Sequence, residues 1–141
     1  MTGYLADTNV ISELAKSSPH RAVTDWLEEQ DVPRVASVTV FELAAGIERL
    51  PAGRRRRFLD EWLAVLLAGP VDVLPFDAAA ALAAARLDGD ARRRGKPIPE
   101  RDLLVLATAK AHDLGVATRD LGHFRGHGVP IYDPFSGTHA L

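Results

Sequence analysis

The chain has 141 residues, 47% of them hydrophobic and 26% charged, no cysteine and a formal net charge of -2. That is the composition of a folded domain with its own core; it argues against disorder and excludes a disulfide scaffold and a thiolate zinc site, in keeping with a reducing compartment. No apolar run has the length of a membrane span and no basic segment leads into an apolar one at the N-terminus, so a single soluble, cytoplasmic domain over residues 1–141 is expected. The small net charge hides basic clusters at Arg54 to Arg57 and at Arg92 to Arg94 with Lys96, so the overall balance speaks neither for nor against a nucleic-acid partner.

In chain order, Tyr4 to Ala6 read as a short buried strand that stops at Asp7. Asp7, Thr8 and Asn9 are capping residues, and Val10, Ile11 and Leu14 follow at helical spacing. Ser17-Ser18-Pro19 breaks the pattern, and Ala22, Val23, Trp26 and Leu27 share the face of a second helix. Val35 to Ser37 form the second strand, and Thr39 opens a helix whose apolar stripe is Val40, Leu43, Ala44 and Ile47, with Glu42 off the stripe. After Pro51-Ala52-Gly53, residues Phe58, Leu59, Trp62, Leu63, Leu66 and Leu67 make a strongly amphipathic helix. Val71 to Leu74 are the third strand, and an alanine-rich helix runs from Asp77 to about Arg94. Glu100 to Leu114 form a helix apolar nearly all round, with Gly115 as its stop. Val116 to Thr118 and Val129 to Tyr132 are the last strands, and the tail beyond Phe135 is expected to fray. This alternation predicts an α/β fold: a central parallel sheet of about four to five strands with helices on both faces.

In such a sheet helices begin where strands end, and ligands collect at that carboxyl edge. Four acids fall there: Asp7 after the first strand, Glu42 in the first turn after the second, Asp102 in the first turn of the apolar helix and Asp120 after the fourth. Each has a structural explanation of its own. Asp7 suits an N-cap, Glu42 with Thr39 matches a capping box, Asp102 suits a helix dipole and Asp120 a turn. Together they would repel one another unless a cation sat among them. Hard oxygen ligands point to magnesium, with manganese able to substitute, and so to phosphodiester chemistry. A zinc site on His123 and His127 is the weaker alternative, because the glycines around them make a loop and no glutamate follows His123.

Four stretches carry a resemblance. Leu5 to Glu13, Thr39 to Gly46, Asp102 with Ala107 to Ala109, and Val116 to Asp120 resemble, in order and spacing, the four signatures of PIN-domain nucleases, most nearly VapC toxins and their FitB-like branch. The likeness covers nearly the whole chain, ending with Ile131 to Phe135. It implies a metal-dependent endoribonuclease that leaves 5'-phosphate and 3'-hydroxyl ends. It also implies a homodimeric toxin, silenced by a small antitoxin whose tail occupies the acidic groove, in a hetero-oligomer able to bind operator DNA. Asp7, Glu42, Asp102 and Asp120 carry over as catalytic and metal-binding positions, and Thr8 matches the small hydroxyl residue beside the first acid. Thr8, Asn9 and Arg119 are candidate substrate contacts, and Trp26 and Trp62 candidate interface residues. Two departures stand out: Pro99, Glu100 and Arg101 precede Asp102 where relatives often have small residues, and Leu121 to Phe124 lack a fifth acid.

Other classes compete less well. A phospho-receiver module would need an acidic pair at the first strand, and a haloacid-dehalogenase-type phosphatase a second aspartate where Asn9 stands. A DNA-cleaving or DNA-bound member of the same nuclease family remains the nearest alternative, as half of a repressor complex.

Overall fold

Three-residue strands carry the whole architecture. In the computed structural model, which describes residues 3–141, β1 (Tyr4–Ala6), β2 (Arg34–Ala36), β3 (Asp72–Leu74), β4 (Gly115–Ala117), β5 (Ile131–Asp133) and β6 (Thr138–Ala140) form one sheet in the order β3-β2-β1-β4-β5-β6. The first five are mutually parallel and β6 is antiparallel to β5. The helices are α1 (Thr8–Ile11), α2 (Arg21–Glu29), α3 (Ser37–Glu48), α4 (Arg54–Ala68), α5 (Ala78–Arg93), α6 (Glu100–Ala111) and α7 (Leu121–Phe124), with a 3-10 turn at Ser12–Ala15. No described helix is long and apolar enough to cross a membrane.

Strand alternation divides the core in two. Leu5 and Ala36 point to the face covered by α5 and α6, where they meet Ala84, Ala91, Leu103 and Leu106. Ala6 and Val35 point to the opposite face, against Val10, Ile11, Val23 and Leu27. Helix α6 is buried from Val105 to Ala109, as its composition predicts, whereas α4 has no fully buried residue.

Several local expectations change. Helix α3 starts at Ser37, with Ala36 as its cap and no side-chain cap bond, so Thr39 neither opens the helix nor forms a capping box, and Glu42 lies in the second turn. Gly115 does not stop α6. The helix ends at Ala111, and Asp113 takes the left-handed turn at φ 54°. Gly115 is instead the first residue of β4, where a Cβ would stand 2.5 Å from the Pro130 carbonyl oxygen and 2.6 Å from the Tyr4 ring. The tail does not fray, because Asp133 accepts from Phe135 N at 2.8 Å and Ser136 Oγ at 2.7 Å, turning the chain back into β6. Trp26 is half-buried, its ring 6.3 Å from that of Tyr4 and 5.9 Å from that of Tyr132, and so belongs to the fold.

Candidate active site

Because β1 lies between β2 and β4, the carboxyl edge brings the loops after these three strands together. Asp7 caps α1 there. It is 7% exposed, and its Oδ1 accepts from Thr8 N at 2.8 Å. Its Oδ2 accepts from Thr118 Oγ1 at 2.8 Å and, more weakly, from Asn9 Nδ2 at 3.4 Å. The same Asn9 amide reaches Thr118 Oγ1 at 3.2 Å and Asp120 Oδ2 at 3.3 Å, while its Oδ1 accepts from Arg119 N at 3.1 Å. Thr118 Oγ1 also accepts from Asp120 N at 3.0 Å. One amide and one hydroxyl thus tie Asp7 to Asp120 across more than a hundred residues of chain. Asp120 precedes α7 but makes no cap bond.

The opposite flank is looser. Glu42 Oε2 lies 3.5 Å from Arg101 Nη1, and Asp102 Oδ2 lies 3.3 Å from His123 Nδ1. Among the described residues no three acids or histidines stand close enough, in these rotamers, to hold an ion. They do feel one another. Burial raises the pKa of Asp7 to about 6, the charges of Asp102 and Glu42 add to the rise, and the Thr118 and Thr8 hydrogen bonds oppose it. Burial likewise raises Asp102, with Asp120 reinforcing the rise and His123 opposing it. Two buried hydroxyls lack any partner, Thr8 Oγ1 beside Asp7 and Thr39 Oγ1 one turn before Glu42. An oxygen-only donor set whose anions destabilise one another, with the unsatisfied Thr8 hydroxyl beside Asp7, fits a hard divalent cation. Gathering it around one ion requires Glu42 and Asp102 to turn away from Arg101 and His123.

Other candidates fall elsewhere. The Arg119 guanidinium lies 3.7 Å from the Phe135 ring centroid, so only the backbone of Arg119 enters the acid network. His123 and His127 do not meet at a zinc site: His123 faces Asp102, while His127 Nδ1 is 3.2 Å from Arg94 Nη2. Trp62 lines an open groove of about 1230 Å³ that runs from Thr8, Ser12 and Glu42 to Arg54, Arg55 and Phe58. Sequence reasoning passed over Thr118, Arg101 and His123 as parts of this site. Only the unusual arginine beside Asp102 offered a signal.

The family profile of the PIN domain matches residues 4–127. The VapC ribonuclease Y4jK of Sinorhizobium fredii is 42% identical over 133 residues, covering 92% of this chain and 95% of that protein. Toxin FitB of Neisseria gonorrhoeae is 38% identical over 136 residues, covering 93% and 97%. The crystal structure of FitAcB from Neisseria gonorrhoeae superposes with a TM-score of 0.82 at 36% identity, covering 94% of this chain and 98% of the matched one. A structure of FitAB bound to a DNA fragment gives 0.81 at 34% identity, covering 94% and 95%. With a mostly parallel sheet whose carboxyl edge carries Asp7 and Asp120 beside the helices of Glu42 and Asp102, and a family match over most of its length, the chain belongs to the PIN-domain family.

Proposed function

We propose that the protein is a metal-dependent endoribonuclease and the toxin of a toxin–antitoxin pair, acting in the cytoplasm where its RNA substrate is found. The observation that carries this reading is the raised pKa of Asp7 and Asp102, through burial and then the neighbouring charges of Glu42 and Asp120, at one edge of a chain whose similar proteins include a VapC ribonuclease. These four acids would hold Mg2+, with Mn2+ able to substitute. When bound, the cation supplies charge neutralisation at the phosphoryl oxygens and makes a nearby water more acidic. The chain supplies the rest. Asn9 and Thr118 hold one oxygen each of Asp7 and Asp120 in fixed directions, leaving the second Asp120 oxygen outside these bonds and free to orient the attacking water. Thr8, beside Asp7, carries a hydroxyl with no partner that could join the site's hydrogen bonding. Water attacking phosphorus in line, as the P–O3' bond breaks and a solvent proton passes to the departing O3', would leave a 5'-phosphate and a 3'-hydroxyl.

The groove beside the acids fits an antitoxin. It is apolar along Leu59 and Trp62 and basic at Arg54 and Arg55, which suits an amphipathic segment with acidic side chains. FitB-type relatives have been solved as FitAcB and as FitAB on DNA, which favours a hetero-oligomer able to bind operator DNA. Leu82 and Val65 remain exposed outside the groove and favour a homodimer as the free form. Incubating the purified protein with total RNA and magnesium, then mapping new 5' ends, tests the activity. Discrete magnesium-dependent cuts are expected, and intact RNA under all divalent ions would refute the nuclease reading.

A further inference from the structure

Two side chains at the mouth of the site stand where folding does not explain them. Phe41 is 59% exposed on α3, immediately before Glu42. Arg101 sits in the first turn of α6, immediately before Asp102, at the positive end of the helix dipole where a cation is unfavourable. They meet: the Arg101 guanidinium carbon lies 5.6 Å from the Phe41 ring centroid, and its Nη1 reaches Glu42 at 3.5 Å. Both side chains remain open to solvent, with 46% of the Arg101 side chain accessible. Nothing else in the described structure packs them into a core.

We propose that Phe41 and Arg101 form a nucleotide-binding subsite for single-stranded RNA beside the acidic centre, Phe41 stacking a base and Arg101 taking the phosphate next to the scissile one. The inference rests on the nuclease reading above. Its chemistry follows from the pairing. Single-stranded RNA is recognised by bases laid on aromatic rings and on guanidinium planes, and a ring–arginine pair presents both with a cation for the backbone. The 3.5 Å contact of the half-exposed Arg101 with Glu42 is a weak tie, and a cation at the acids would compete for that carboxylate, freeing the guanidinium for a phosphate. The resulting layout is a basic rim, Arg101 with His123, over an acidic floor. That order suits a polyanion whose flanking phosphates touch the rim while the reacting one lies on the floor.

The test measures binding of a fluorescein-labelled single-stranded RNA by anisotropy, with magnesium, in an Asp7→Asn background that holds RNA uncut, and cleavage kinetics in the otherwise wild-type chain. Arg101→Gln is expected to weaken binding about tenfold and to reduce the slope of log affinity against log salt by about 0.7, the loss of one phosphate contact on a single strand. Phe41→Ala is expected to weaken binding about tenfold with the slope unchanged, and Phe41→Trp to restore it. In cleavage both changes should raise KM more than they lower kcat. Wild-type cleavage together with parental RNA affinity in both variants would overturn the subsite and leave the nuclease reading intact. The same holds if Phe41→Ala dissociates a dimer in sedimentation while RNA affinity stays parental, which would assign the ring to contact between copies. No cleavage by the wild-type chain and no RNA binding would overturn both.

Discussion

The two flanks of the acidic edge are built on different principles. On the flank of Asp7 and Asp120, neutral donors fix the carboxylates: Thr118 Oγ1 at 2.8 Å, Thr8 N at 2.8 Å and the shared Asn9 amide. On the flank of Glu42 and Asp102, each carboxylate faces a single partly exposed basic side chain, the Arg101 guanidinium or the His123 imidazole. Neutral hydrogen bonds orient an anion without cancelling its charge, so the first flank keeps its negative charge in a fixed geometry. Contacts to partly exposed side chains are weak and easily exchanged, so the second flank is the adaptable one. The difference teaches how one edge can be both organised in advance and adaptable.

The comparison breaks most completely at Asp7. Asp7→Asn keeps the size of the side chain and its place in the network but removes a charge, and RNA cleavage with magnesium is expected to fall by at least about 100-fold. The same variant should stabilise the metal-free protein. The folded pKa of Asp7, about 6, lies above its ordinary value near 3.8, so the native state binds the proton more tightly than the unfolded chain does. The ionised carboxylate therefore destabilises the fold fully above about pH 6, and that penalty disappears as pH falls towards 4. Denaturant titrations in EDTA are expected to show a wild-type protein gaining stability relative to Asp7→Asn between pH 7.5 and pH 4.5. The whole difference is on the order of 3 kcal/mol at most.

Glu42→Gln probes the exchangeable flank. Since α3 has no capping box and the Arg101 contact is exposed, the melting temperature should hardly move, a change under about 0.5 kcal/mol. Cleavage and magnesium affinity should both fall, by several-fold to a hundredfold. Activity within about twofold of wild type would remove Glu42 from the site, since that ratio is well under 1 kcal/mol.

Thr118→Val sharpens the organised flank with the smallest expected effect on cleavage. The shape is kept, but Asp7 Oδ2 and Asp120 N each lose a partner, for about 1–2 kcal/mol of stability. Because the Thr118 bond holds the Asp7 pKa down, its loss should raise that pKa further and move the acid limb of the pH–rate profile to higher pH. A purely structural Thr118 would lower stability and leave the profile in place.

Much of this molecule is determined locally, in stretches short enough to read directly. An apolar strand ending in Asp7-Thr8-Asn9 before Val10 and Ile11 can scarcely be anything but a strand that hands over to a capped helix, and the all-round apolar α6 must be central. The parallel sheet and the four acids at its carboxyl edge follow from those patterns. The tertiary structure decided the rest. Gly115 reads as a helix stop from its neighbours, but the Tyr4 ring and the Pro130 carbonyl, brought by adjoining strands, make it a strand residue that tolerates no Cβ. Thr39 and Glu42 have capping-box spacing, yet α3 begins two residues earlier because Ser37 continues directly from β2. Asn9, Thr118 and Asp120 become one network only because β1 and β4 are neighbours, and Arg101 reaches Glu42 only because α6 packs against α3. Propensity and periodicity are properties of neighbouring residues in the chain, whereas which carboxylate meets an amide, and which an arginine, depends on the order of strands in the sheet.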